Sequence, residues 1–218
     1  MRNKKLLWVI GILFALLVVL YLINNSRFEM YENQKKNTEV EKVERVQIST
    51  DFNTNTFSSK DEPKILKELK LCDSSIQWSE DLNRPSCTPN YFRVFPLKKG
   101  LDISQGCMVL LKAGVNGFPV RRFVVYEKEG NQFVQANGFI GYPIEFRPQA
   151  KTYDDVVIRF FERYEEEKYF YNCLFTWKQN RYQFVRCEQI NDANIKPEKQ
   201  KEVSAEILQI LNEKQLVF

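Results

Sequence analysis

Histidine is absent from all 218 residues, and that removes whole classes of chemistry. Ser-His-Asp and Cys-His nucleophile systems, His-containing zinc sites and His proton shuttles all need an imidazole. The familiar phosphate and nucleophile loops are missing too: the chain contains no Gly-x-Gly-x-x-Gly, no Gly-Lys-Ser/Thr loop, no Gly-x-Ser-x-Gly, no Ser-x-x-Lys and no Asp-x-Asp-x-Asp-Gly calcium loop. No cofactor or metal is therefore expected. Net charge is also scarce. The formal +4 comes largely from Arg2, Lys4 and Lys5; without them 29 basic residues face 28 acidic ones, a formal +1. Nucleic-acid binding needs a basic stripe, so no nucleic-acid partner is expected.

What the sequence does have is one long apolar run, Leu6 to Ile23 (LLWVIGILFALLVVLYLI), with no charge in its 18 residues. As a helix it spans roughly 27 Å, close to the hydrocarbon thickness of a bilayer. A cleavable signal peptide has a shorter apolar core and a small-x-small exit. Here the exit reads Tyr21-Leu22-Ile23-Asn24-Asn25-Ser26, so an uncleaved anchor is the favoured reading. Arg2, Lys4 and Lys5 crowd its N-terminal side, which orients the N-terminus to the cytoplasm and the rest outside. The expected organisation is a cytoplasmic stub (1–5), a transmembrane anchor (6–23), a polar tether (24–62) and an extracytoplasmic domain (63–218), periplasmic in a bacterium. All five cysteines, at 72, 87, 107, 173 and 187, lie beyond the anchor, where oxidation is chemically possible.

Within the tether, Val40 to Ile48 (VEKVERVQI) reads as linker, with a short helix or an added strand as the alternative. Pro63 opens a helix carrying Ile65, Leu66, Leu69 and Leu71 on one side and ending near Cys72. Residues 73–90 form a loop closed by Cys72 and Cys87, with Trp78 packing it onto the core. Strands are predicted at Tyr91–Leu97, Cys107–Lys112, Val120–Glu127 and Gln132–Asn137, the last two joined through Lys128-Glu129-Gly130-Asn131. Phe139–Pro148, interrupted by Gly141, Pro143 and Pro148, is read as irregular. Pro197–Leu216 ends the chain in an amphipathic helix. The fold class is thus mainly β, antiparallel hairpins and a meander with flanking helices, an α+β domain after one transmembrane helix.

Asp154–Glu188 is ambiguous between a helix and a three-strand meander, and register favours the meander. A four-residue loop at Glu165–Lys168 sets Val156, Ile158 and Phe160 opposite Trp177, Phe175 and Cys173. A three-residue loop at Gln179–Arg181 sets Phe175 opposite Val185 and Cys173 opposite Cys187. One register then buries an apolar face and places two cysteines at bridging distance. Structural disulfides are expected at Cys72–Cys87 and Cys173–Cys187, leaving Cys107 as a buried, inert thiol. In the same register Phe161, Phe170 and Tyr182 face away from the meander's core, to pack beneath the terminal helix or to form a partner surface. Asp154-Asp155 and Glu165-Glu166-Glu167 read as solvated loop charges. The leading functional expectation is a non-catalytic interaction module: an accessory or assembly subunit of an envelope complex, or a binder of an envelope ligand. The runner-up is a carboxylate-dependent hydrolase of an extracytoplasmic polymer.

Overall fold

Strand signals outnumber helix signals after Tyr91, and the architecture follows that balance. The computed structural model describes residues 44–52, 56–73, 75–76 and 81–218. The anchor Leu6–Ile23, the stub before it, the tether up to Val43 and Trp78 lie outside the described residues. Among the described residues, no helix is long and apolar enough to cross a membrane. In chain order the elements are β1 (Val46–Gln47), α1 (Glu62–Glu68), β2 (Phe92–Pro96), β3 (Gly106–Leu111), β4 (Arg122–Glu129), β5 (Gln132–Phe139), β6 (Tyr142–Arg147), β7 (Asp155–Tyr164), β8 (Glu167–Lys178), β9 (Arg181–Ile190), β10 (Ala193–Asn194) and α2 (Gln200–Glu213). The strands form two antiparallel sheets, one of four strands in the order β2-β3-β4-β5 and one of six in the order β1-β6-β7-β8-β9-β10.

The centre of the four-stranded sheet is buried on both faces, and β3 shows why. Its sequence, GCMVLL, has no polar side chain, and every residue in it is buried. Met108 and Leu110 point between the sheets, where they join Phe123, Val125 and Phe139 against Val156, Ile158, Phe160, Cys173 and Phe175 of the six-stranded sheet. Cys107, Val109 and Leu111 point the other way, against Ile65 and Leu66 of α1 with Tyr91, Phe92 and Val115. Alternating side chains thus serve two apolar layers, which is how a doubly covered strand comes to read as a continuous hydrophobic run. α1 begins with Pro63 in its first turn, where a missing N–H costs nothing. Behind it Cys72 and Cys87 are disulfide-bonded, their Cα atoms 5.1 Å apart.

Sheet edges are sealed by specific groups. The N–H of Cys187 on β9 donates to Ser204 Oγ of α2 (3.2 Å), and Gln200 of α2 donates to the Cys187 carbonyl. Farther along the same edge, the buried amide of Asn137 on β5 takes the N–H of Tyr182 and donates to its carbonyl. The C-terminal residues act as an added strand on β5: Phe218 N–H donates to the Gly138 carbonyl (2.9 Å), and Ile140 N–H to the Leu216 carbonyl (2.9 Å). Gly138 makes room for the Phe218 ring, which a Cβ would meet at 2.1 Å and displace. Covering edges in this way removes templates for unwanted strand pairing.

The structure corrects four expectations. Part of the stretch read as tether belongs to the domain, since Val46 and Gln47 pair with Phe146 and Glu145 of β6, and Phe52 is buried in the inter-sheet core. The stretch read as irregular contains β6. Its Pro143 is tolerated because the β6–β7 ladder shifts register between Pro143 and Glu145, a bulge where a missing N–H breaks no regular pairing. The β7–β8 turn has two residues, Glu165 (φ 53°) and Glu166, so Val156, Ile158 and Phe160 meet Phe175, Cys173 and Tyr171. The register slides by two residues and the same face stays inside.

The fourth correction concerns β8–β9. Its turn is Gln179-Asn180, both at positive φ, as a two-residue hairpin turn requires. Alone, that even turn would set Cys173 against Arg186. The register shifts between Leu174 and Phe175, Val185 is left out of the ladder and 41 % exposed rather than opposite Phe175, and Cys173 meets Cys187 after all. The expected bridge between them is not formed in this structure: both are buried thiols, hydrogen-bonded to each other, with Cys187 Sγ also turned toward the Gln189 carbonyl at 3.3 Å. Burial pushes the Cys173 thiol up. Because the backbone groups of Cys187 serve α2, the two cysteines form a non-hydrogen-bonded pair, the closer of the two antiparallel spacings.

Candidate functional site on the outer sheet face

The six-stranded sheet turns Val156, Ile158 and Phe160 inward and the alternate residues Val157, Arg159, Phe161 and Arg163 outward. Their partners on β8 are Leu174, Asn172, Phe170 and Lys168. Phe161 and Phe170 are directly opposed, their ring centroids 5.4 Å apart, and Phe161 is 45 % exposed. The Arg159 guanidinium lies 5.6 Å from the Phe170 ring, within cation–π range. It is held there by Asn172 Oδ1 (2.8 Å) and by an ion pair to Asp192, while Asn172 Nδ2 donates to Gln189 Oε1 at 2.6 Å. The terminal helix does not cover this face. Ile207 and Leu211 of α2 enter the inter-sheet core instead, and Lys214, just past α2, pairs with Glu162, whose side chain points to the other face.

Tyr182, expected on this surface, is not on it. It is 1 % exposed, stacks edge-on against Trp177 (5.1 Å) and donates its hydroxyl to the Asp154 carbonyl at 2.8 Å. The turn before it is one residue shorter than expected, and a one-residue change reverses the face of every side chain that follows until a bulge intervenes. Phe161 and Phe170 are brought together; Tyr182 belongs to the core.

Toward β6 the same face deepens into a polar concavity of about 370 Å³. At its centre Arg147, only 5 % exposed, donates Nε to Glu145 (2.5 Å) and both terminal nitrogens to the Glu188 carboxylate (2.8 and 2.5 Å). β6 and β9 are separated by two strands, about 14 Å between them, so the two side chains reach over the intervening Val157 and Leu174, both buried. Glu188 can do this because it is left out of the β8–β9 pairing: Cys173 pairs with Cys187 and Asn172 with Gln189. Bulges re-aim side chains in this way. Burial opposes ionisation of Glu188, but the hydrogen bonds and charge of Arg147, joined by Arg186, outweigh it and hold its pKa below the ordinary range. The Arg147 pKa is raised, first by its bonds to Glu188. Glu188 is thus a fixed anion and not a proton donor at neutral pH, and the cluster works as a clamp across four strands.

Asp154 is not a solvated loop charge. It is buried and accepts from the backbone N–H groups of Lys99 (2.8 Å) and Gln149 (3.2 Å). Glu165 and Glu166 are exposed as expected. Cys107 is buried, and burial pushes its thiol up to about 12. A second, more apolar cavity of about 480 Å³ lies beside β1 and β2, lined by Val46, Ile48, Phe95, Pro96 and Phe146 among others. Among the described residues no group of three or more carboxylates and thiols is arranged to hold a metal ion.

The clamp and the basic residues beside the Phe pair were not singled out from sequence. The alternation Arg159, Phe161, Arg163 was a usable signal for the latter; nothing local marks Arg147 and Glu188. No family model, no curated protein and no solved structure matches the chain.

Proposed function

We propose that the chain is a membrane-anchored, extracytoplasmic interaction module, held to the bilayer by residues 6–23 and engaging a protein partner of an envelope complex through the outer face of the six-stranded sheet. The observation that carries this reading is the contrast in cover. The centre of the four-stranded sheet spends both faces on apolar layers, with only the β4–β5 end exposed at Val134, whereas the six-stranded sheet leaves an aromatic pair, Phe161 against Phe170, on its outer face. An aromatic pair on an otherwise ordered sheet face supplies rigid contact area at low entropic cost, the usual core of a binding patch. The clamp supports the same role by fixing β6 to β9 and holding the face rigid.

The test is site-specific photo-cross-linking from position 161 in the membrane-embedded whole chain, with position 185 as an exposed control. A discrete adduct from position 161, not formed from 185, is the expected result. Equal, diffuse labelling from both positions overturns the docking face. A reporter fused after Phe218 and protected in the cytoplasm overturns the topology.

A further inference from the structure

The outer face of the β7–β8 hairpin has a charge pattern that specifies more than a hydrophobic patch. Three cross-strand pairs share that face: Arg159 with Asn172, Phe161 with Phe170, and Arg163 with Lys168. The last pair sets two cations directly opposite each other. Both are exposed, and neither has an anionic partner among the described residues. Like charges at directly opposed positions work against a sheet, and no ion pair among the described residues offsets this one. The hairpin's acids are directed elsewhere. Glu162 and Glu167 lie on the opposite face, bonded to Tyr171 and Tyr169 respectively, and Glu165 and Glu166 occupy the turn beyond the strands. Of the acids reaching this sheet face, Asp192 is already paired with Arg159, and Glu145 and Glu188, toward β6, are held by Arg147.

We infer that this face docks an acidic peptide segment, its carboxylates seated on Arg163 and Lys168 and an apolar side chain laid across Phe161 and Phe170. This rests on the outer face being the partner surface. The stripe from Arg159 to Arg163 is about 13 Å long, and its successive cross-strand pairs lie two residues apart, matching an extended segment in which an acidic and an apolar side chain two residues apart point to the same side. A peptide lying along this stripe ends at the Arg163–Lys168 pair and leaves the Glu165-Glu166 turn outside the contact. An anionic bilayer approached by the hairpin tip would meet those two carboxylates first, which favours the peptide over a lipid surface. An acid seated between Arg163 and Lys168 relieves their mutual repulsion, so binding is strongest at low salt.

The whole chain, embedded in neutral phosphatidylcholine nanodiscs, is titrated into a fluorescent peptide of repeated Glu-Ser-Leu-Ser, which in extended form presents glutamate and leucine on the same side. The same peptide with lysine in place of glutamate and phosphatidylglycerol vesicles are run in parallel. The expected result is salt-sensitive binding of the acidic peptide alone, weakened about tenfold or more by the double substitution Arg163→Glu with Lys168→Glu, and to a similar degree by Phe161→Ala. All three positions are exposed and the thermal midpoint serves as the folding control. Equal binding of both peptides, or acidic-peptide binding unmoved by the charge reversal, overturns the inference. So does capture of the vesicles, but not the peptide, with the same variant sensitivity. If the peptide fails while the adduct from position 161 persists, the acidic-peptide chemistry falls and the docking face stands. If both fail, both readings fall.

Discussion

The two sheets of this domain are made by the same antiparallel pairing, yet they use their faces differently. In the four-stranded sheet β3 is apolar at every position and both faces are covered, by α1 and the disulfide-closed loop on one side and by the second sheet on the other. In the six-stranded sheet β7 alternates, with Val156, Ile158 and Phe160 inside and Arg159, Phe161 and Arg163 outside. The first is the rigid centre of the fold. The second is half centre and half surface, and its outer half is where the molecule has side chains to spare for recognition. Cover, more than strand content, separates the two sheets here, and the proposed docking surface is the uncovered face.

The comparison is tested most severely at the shared core. Phe123 is fully buried between the sheets, with Phe95 and Phe139 within 6.3 Å and 6.1 Å. Phe123→Ala is expected to cost about 3–5 kcal/mol, read by denaturant titration with an unchanged m-value. A loss below about 1 kcal/mol would mean that the inter-sheet core is not the main source of stability.

Next in size is the clamp. Arg147→Met leaves Glu145 and Glu188 as neighbouring anions without their cation, at a cost of about 3 kcal/mol. The triple replacement Arg147→Met with Glu145→Gln and Glu188→Gln is expected to recover most of that loss. The pH dependence has a definite sign. The folded pKa of Glu188 lies below the ordinary 4.5, so the stabilisation from Glu188 is complete above about pH 4.5 and fades as pH falls through the folded value. Glu188→Gln should flatten that acidic limb and leave the neutral-to-basic limb unchanged. A variant whose acidic limb is as steep as the original would remove Glu188 from the account.

The cover of the four-stranded sheet gives a smaller effect. Replacing Cys72 and Cys87 together by Ser opens a crosslink between residues 15 apart, worth about 2–3 kcal/mol in the chain-entropy model. Cys107→Ser, in the same buried layer but outside any crosslink, should cost less and leave the Cys72–Cys87 linkage intact in unreduced peptide maps.

How far these features were legible depends on their range. A buried strand such as β3 announces itself through six consecutive small or apolar residues, and the meander through its period-two alternation, because both patterns are local. Turn length is less legible: Gln179-Asn180 and Glu165-Glu166 close their hairpins in two residues each, and polar residues beside a turn look alike whether paired or not. Bulges leave no local mark at all. The Cys173–Cys187 register was anticipated through a three-residue loop, whereas it arises from a two-residue turn plus the displacement of Val185. Without a bulge at that point the same turn would have separated the cysteines. Tyr182 precedes the bulge, so the shorter turn alone governs it and sends it inward. The clamp joins residues 41 apart through a bulge and two intervening strands, and no short-range pattern encodes that.

The smallest stability effect is expected at Phe161, and that smallness is itself the sharpest statement about the outer face. A side chain 45 % exposed that packs on one neighbouring ring, Phe170 at 5.4 Å, forfeits an aromatic pair of about 0.5–1.5 kcal/mol when truncated. Part of that is returned, because an exposed apolar surface is removed from water at the same time. Phe161→Ser should therefore change stability by no more than about 0.5–1 kcal/mol, far below Phe123→Ala, although both replace a phenylalanine in a sheet. If position 161 were instead a core position whose cover lies elsewhere in the chain, its loss would approach that of Phe123. Paired denaturant titrations of the two variants decide between these. A Phe161 cost within about 1 kcal/mol of the Phe123 cost would show that the face is already occupied from within the chain. A cost near zero, together with weakened cross-linking from the flanking position 159, places the value of Phe161 in binding rather than in folding.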